Sequence, residues 1–386
     1  MKAIRNLLHP SRAALPLLLG ACASLAPVPA AASVYELRED GGGVFGAVER
    51  VRTRYEDTLI ELARRYSLGY EELTRVNVGV DPWLPGEGTE ILVPGQRILP
   101  DGPRQGIVVN LPEHRLYYFP KARKGVKPTV MTFPVSVGKM DWRTPIGVTR
   151  IVDKRKNPSW TPPESVRKEH AARGEPLPKV VGPGPDNPLG AHAMRLAIPG
   201  GSYLIHGTNN PDAVGMAVTH GCLRMYPEDV ERLFEAVSVG TPVALINEPV
   251  KIARVDGEVW LEVHPPVDAQ GQAIEPNLED FERRLDQLLG QSQVAIHWER
   301  ALAALREASG IPLVIGIEIP EDEPAPGTAP AEAPAAGPGE GLGGGEAAGA
   351  GEGEGASTPP ADAGDPGAPQ RPLPSDPPPG QGPVLP

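Results

Sequence analysis

The chain has 386 residues, enough for two or three domains, and its 45 Gly and 48 Pro crowd into particular segments, which excludes a collagen-like or wholly disordered chain. Two cysteines, Cys22 and Cys222, exclude both a disulfide framework and a thiolate-only zinc site, which needs four. Of the formal charge of −12, residues 321–386 carry −10, so no broad basic face remains and nucleic acid is not expected as a partner.

Residues 1–32 read as an export signal. Lys2, Arg5 and Arg12 precede the apolar run 13–25, and Ala30-Ala31-Ala32 fits a cleavage site before Ser33. The run is too short to span a bilayer, so no transmembrane segment is expected. Leu19-Gly20-Ala21-Cys22 resembles a bacterial lipobox and gives a rival reading in which Cys22 is lipidated. Its glycine is the poorer match, and the Ala-x-Ala site is preferred. Cys222 is then the single cysteine of the mature chain.

Residues 44–100 form one unit by pattern. Leu59, Ile60, Leu62, Ala63 and Tyr66 recur at helical spacing behind a cap at Asp57 or Thr58. A second short helix is expected over residues 69–76, with Leu73 and Val76 inward and Asn77 at its end. Asp81-Pro82-Trp83-Leu84-Pro85-Gly86 is turn-rich, and Ile91-Leu92-Val93-Pro94 reads as a closing strand. This small α+β unit resembles a LysM module, a family that binds N-acetylglucosamine-containing glycans. It departs from that pattern at Glu56, where the family usually has Gly.

Residues 104–248 are β-rich. Residues 106–110 and 115–119 read as strands paired around the Pro112-Glu113-His114 turn, and residues 130–137 and 147–152 continue the pattern. Residues 157–190 show little periodicity and read as a long functional lid. A short strand ends at His206, a helix starts at Pro227, which suits a first turn, and residues 243–246 close the domain. In the accessory region 249–320 we expect a strand over 259–263, helices over 278–289 and 295–308, and a strand over 313–317. Residues 321–386 hold 16 Pro and 15 Gly without an aromatic residue, the composition of a disordered tail.

The chemistry concentrates between His206-Gly207-Thr208 and Thr219-His220-Gly221-Cys222-Leu223-Arg224. A thiol with its ordinary pKa near ~8.5 holds little thiolate at neutral pH and needs a base or a cation beside it. Two histidines and an arginine supply those parts, and cysteine–histidine pairing is the general route to an activated acyl acceptor. Backbone amides around Gly221 and Cys222 are candidates for an oxyanion site. Three plainer readings compete. His206, His220 and Cys222 could ligate zinc, but one residue between His220 and Cys222 is not the usual ligand spacing. Cys222 could be a buried apolar residue, against which its Gly-rich polar surroundings argue. His220 could simply hold the loop through a backbone hydrogen bond.

This segment resembles the YkuD-type L,D-transpeptidase motif, a histidine followed by Ser or Thr, His-Gly-Cys and, one residue on, Arg. Thr144-Pro145-Ile146-Gly147, Pro158-Ser159-Trp160-Thr161-Pro162 and Gly184-Pro185-Asp186-Asn187-Pro188 extend the likeness, which spans residues 33–265. It implies a β-sandwich-like catalytic domain in the periplasm of a two-membrane bacterium, behind the LysM-like domain. It further implies attack by Cys222 on the diaminopimelate carbonyl of a peptidoglycan tetrapeptide stem, with D-Ala released. By motif position His206 is the base, the Gly207 carbonyl orients it, and the amides of His220, Gly221 and Cys222 form the oxyanion hole. Arg224, Thr219 and Trp160 are expected to contact substrate. An amine resolves the thioester: a second diaminopimelate, or the lysine of an outer-membrane lipoprotein, the acceptor favoured here. Exchange of amide for thioester and back is near energy-neutral, so no metal and no cofactor is required. The competing classes are a non-catalytic wall-binding scaffold and a metal-dependent amidase.

Overall fold

The computed structural model describes residues 34–38, 43–138, 144–199, 203–267 and 274–319. The export signal with Cys22, and the tail 321–386, lie outside the described residues. All the described residues belong to one compact unit.

Nine strands, Val34–Glu36 and eight from residues 104–248, form one sheet. Its order is Val34–Glu36, Thr129–Pro134, Arg115–Phe119, Gly106–Asn110, Pro242–Ile246, Gly147–Lys156, His192–Leu196, Leu204–His206 and Leu223–Arg224. Two pairings are parallel, Gly106–Asn110 with Pro242–Ile246 and Leu204–His206 with Leu223–Arg224; the others are antiparallel. Gly106–Asn110 is buried along its whole length, as a strand covered on both faces should be. Its alternation divides the core: Ile107 and Val109 join Leu116, Phe133, Met194, Ile205 and Leu245 on one face, while Val108 joins Tyr117, Phe119 and Val130 on the other. The β-sandwich-like expectation becomes one nine-stranded sheet with the short pair Val137–Gly138 and Ala217–Thr219. No second sheet is needed opposite the first, because helix Pro227–Ala236 covers one face with Val230, Leu233 and Phe234. Tyr35, Phe45 and Leu99 cover the other.

The N-terminal unit places helices Leu59–Arg65 and Tyr70–Val76 between the antiparallel strands Val48–Arg52 and Glu90–Pro94. Thr58 is the cap and forms a capping box with Glu61, which satisfies two otherwise orphaned amides. Asn77 ends the second helix and pins it to the closing strand: its amide group donates to Leu73 O and Leu92 O, both at 2.8 Å, and its Oδ1 accepts from Leu92 N at 2.8 Å. The C-terminal region is a four-stranded antiparallel sheet, Val250–Val255, Glu258–Val263, Leu313–Glu318 and Val294–Ile296, packed on helices Leu278–Leu289 and Trp298–Glu307.

Two expected elements differ. The helix placed over 295–308 starts only at Trp298, because Val294–Ile296 pairs as an edge strand with Leu313–Glu318. The segment 157–190 is not free of regular structure: Glu164–Ala172 is helical behind Pro163, with an i,i+4 pair from Lys168 to Glu164 at 2.9 Å. Val166 is the single buried residue of that helix, so the sequence carries no apolar stripe to announce it.

Buried charges tie these parts together. Glu72 of the second helix pairs with Arg97 and with Arg115 of the nine-stranded sheet. Lys251 Nζ lies 3.1 Å from Glu113 Oε2 and 2.7 Å from Glu262 Oε1, with all three side chains fully buried.

Candidate active site

The site sits at the edge of the sheet where two short strands run parallel. Ile205 pairs with Leu223 and His206 with Arg224. Ile205 and Leu223 point into the apolar core. By the two-residue alternation of a strand, Cys222, Arg224 and His206 fall on the opposite face. Geometry thus gathers on one surface the thiol, the imidazole and the guanidinium that the sequence separates by up to 18 positions.

Local bonds fix the loop that presents the thiol. Gly221 adopts φ +94°, a turn that L side chains rarely allow. Its carbonyl accepts from Thr144 Oγ1 at 3.0 Å, and Thr144 Oγ1 accepts from Gly138 N at 3.2 Å. Thr219 is buried, and its hydroxyl donates to Cys222 O at 2.6 Å, so its proton is committed within the loop. Arg224 exchanges backbone bonds with Ser136 at 2.8 and 3.1 Å, and Met225 N donates to His206 O at 2.9 Å. Neither Ser136 nor Thr144 was singled out from sequence for this role, although Thr144 opens a motif of the family likeness.

His206 is 5% exposed, and its Nδ1 lies 2.6 Å from Gly207 O. A carbonyl oxygen only accepts, so Nδ1 carries the proton and Nε2 is left as the acceptor. Gly207 lies in a tight place: an added Cβ would stand 3.1 Å from Val230 Cγ1. Burial, reinforced by the Arg224 charge and only partly offset by the Gly207 carbonyl, lowers the His206 pKa to about 4. Burial raises the Cys222 thiol, while the Leu204 amide and Arg224 pull it partly back. The two groups are therefore neutral together, a thiol and an imidazole. Arg224 Nε is buried without a hydrogen-bond partner among the described residues, a donor left for something that enters the site.

His220 reaches out to segment 157–190: its Nε2 stands 3.3 Å from Oε2 of Glu169 on helix Glu164–Ala172, and Glu169 Oε1 is 3.6 Å from Arg173 Nη1. No sequence motif points to Glu169. Trp160 is half-buried and pairs with Val181 through two backbone bonds of 2.8 Å, closing a loop within segment 157–190. Among the described residues, the trio with ligand atoms close enough to hold a metal is Glu113, Glu262 and His264, which shares no residue with the zinc set considered from spacing. The Lys251 ammonium already supplies a cation to both carboxylates of that trio. No helix of the described residues is long and apolar enough to cross a membrane.

A model of the YkuD family, described as the L,D-transpeptidase catalytic domain, matches residues 104–245. The probable L,D-transpeptidase YcfS of Escherichia coli K12 is 42% identical over 258 residues, covering 66% of this chain and 77% of its own. The probable L,D-transpeptidase YbiS of the same organism is 41% identical over 256 residues, covering 64% of this chain and 81% of its own. The probable L,D-transpeptidase ErfK/SrfK, also of that organism, is 38% identical over 291 residues, covering 74% and 91%.

Proposed function

The chain belongs to the YkuD family of L,D-transpeptidases, enzymes of peptidoglycan, and we propose that it acylates Cys222 with the diaminopimelate carbonyl of a tetrapeptide stem. The observation that carries the reading is the shared face of Cys222, His206 and Arg224 on the parallel pair Leu204–His206 and Leu223–Arg224. With Nδ1 bound to Gly207 O, His206 Nε2 accepts the thiol proton as sulfur attacks the carbonyl. The amides of His220, Gly221 and Cys222 receive the developing oxyanion. Collapse breaks the amide bond, and His206 returns the proton to the leaving D-Ala amine. An acceptor amine then attacks the thioester, gives its proton to His206, and restores the thiol.

A neutral pair suits this cycle. Charge separation between a thiol held high and an imidazole held low is unfavourable at rest. It becomes favourable when the substrate carbonyl is in place to take up the negative charge. Arg224, with its unmatched Nε, binds a substrate carboxylate or carbonyl, and Trp160 and the lid cover the donor stem. The acceptor we favour is the lysine of an outer-membrane lipoprotein, with a second diaminopimelate as the alternative. The enzyme works in the periplasm after loss of residues 1–32, and the LysM-like unit holds glycan.

Mass spectrometry of the purified chain with a diaminopimelate tetrapeptide muropeptide, with and without amine acceptors, tests this. Loss of D-Ala with a mass adduct that Cys222→Ala abolishes is expected, and the productive amine names the acceptor. A folded wild type that neither turns over nor forms an adduct with any donor overturns the reading.

A further inference from the structure

Between His206 and Cys222 the chain makes an excursion, and the N-terminal unit grips the middle of it. Tyr70 N donates to Val214 O at 3.0 Å. Two bonds from outside the excursion hold the same corner: the Tyr226 hydroxyl donates to Leu68 O at 3.1 Å, and Arg115 Nη2 donates to Ser67 O at 3.1 Å. At the centre two glycines meet backbone to backbone. A Cβ on Gly69 would stand 2.7 Å from Gly215 Cα, and one on Gly215 would overlap Gly69 Cα. The other side of the excursion leads to the thiol. Ser136 Oγ donates to Ala213 O at 2.7 Å while Ser136 holds the Arg224 backbone. His114 Nδ1 lies 3.0 Å from Gly215 O, and Ala217–Thr219 pairs with Val137–Gly138 just before Thr219 ties off Cys222.

We propose that the N-terminal unit is a positioning element of the active site: its residues 67–70 clamp residues 213–215 and so set where Cys222 and Arg224 stand. Gly69 and Gly215 are the positioning residues, and neither touches substrate. The function of the unit is then not exhausted by any ligand it binds. Its docking is a condition of catalysis, and misplacing a reacting group by about 1 Å costs up to ~10²-fold in rate. The inference rests on the transpeptidase reading only for the choice of donor.

Gly69→Ala is the sharp probe. Gly69 has φ −83°, which alanine adopts freely, so the methyl acts as a wedge against Gly215 and adds no backbone strain of its own. Tyr226→Phe removes the bond that ties Leu68 of the same corner to the segment just after Arg224, without a wedge. In the full chain, each variant is read by kcat and KM for D-Ala release and by the pH profile of Cys222 alkylation with iodoacetamide. The expected result is folded protein with donor KM near wild type, kcat down about ten-fold for the wedge, and a displaced alkylation profile. Wild-type kcat, KM and alkylation profile in both folded variants overturn the proposal. If Gly69→Ala does not fold, Tyr226→Phe decides alone. Alkylation needs no transpeptidase donor. A wild type that alkylates yet releases no D-Ala therefore refutes the functional reading, while the profiles still decide the clamp.

Discussion

Lys251→Met is expected to destabilise the protein most at neutral pH and least in acid. The Lys251 ammonium is fully buried, 2.7 Å from Glu262 Oε1 and 3.1 Å from Glu113 Oε2, and donates to Ile98 O at 2.8 Å. Methionine fills similar space but leaves two buried carboxylates without their cation, a loss of ~3–5 kcal/mol for a buried pair broken on one side. At about 2–4 °C per kcal/mol for a protein near this size, Tm should fall by roughly 6–20 °C. The pH dependence is the sharper signature. Burial pushes Glu113 upward, but the Lys251 charge leads the effects that pull it from 4.5 to about 2. A depressed carboxyl stabilises the fold fully above its unfolded value and loses that contribution as pH falls through the folded one, here between 4.5 and about 2. Without Lys251 the burial effect gains on what remains, Glu113 binds its proton more readily, and acid relieves the variant. Thermal unfolding followed by circular dichroism at about pH 7.5 and about pH 4.5 measures this for both proteins. A Tm difference under ~2 °C at the higher pH, or one that widens toward the lower, would refute the reasoning.

Arg224→Met removes the cation that lowers both Cys222 and His206, so both pKa values should rise. The iodoacetamide profile of Cys222 moves to higher pH, and D-Ala release falls by more than about ten-fold, or ~1.4 kcal/mol; an unmoved profile argues against the charge effect. Thr58→Ala deletes the cap and the capping box of helix Leu59–Arg65 and should cost ~1 kcal/mol in denaturant unfolding with turnover unchanged. Glu169→Ala removes the contact between helix Glu164–Ala172 and His220, so donor KM should rise while kcat stays within about two-fold, and Glu169→Gln, which keeps a hydrogen-bonding group, should restore most of it.

The site was legible in the sequence to the extent that its chemistry is local. His206, Gly207 and the 219–224 run announce a thiol, a base and a cation, and the structure sets them on one face because the strands that carry them pair in register. The rest depends on contacts between distant segments. Glu169 meets His220 across 51 positions and Thr144 meets Gly221 across 77, and neither residue type is unusual where it stands. The fold divides in the same way. The helix Leu278–Leu289 follows from periodicity, whereas Val294–Ile296 is drawn from helix into strand by its partner Leu313–Glu318. Helix Glu164–Ala172 buries a single side chain and is helical for local reasons, the Pro163 start and the Glu164–Lys168 pair.

The buried charges decide what the structural unit is. Sequence patterns divide the chain at about residues 104 and 249, yet the charges that those cuts would separate lie in the interior. Arg115 belongs to the catalytic sheet and is 1% exposed, but it finds its carboxylate on Glu72 and a backbone acceptor on Ser67, both in the N-terminal unit. Glu113 is equally buried and finds its cation on Lys251, beyond the other cut. A catalytic segment excised by pattern would keep both charges and lose both partners, leaving each in a position that an unpaired ion tolerates poorly. Pairing across the boundaries therefore makes the three parts one folding unit. It also explains how a corner of the first part can govern the geometry of a thiol in the second: the clamp on residues 213–215 is anchored through Arg115 and Ser67 to an interior strand of the nine-stranded sheet.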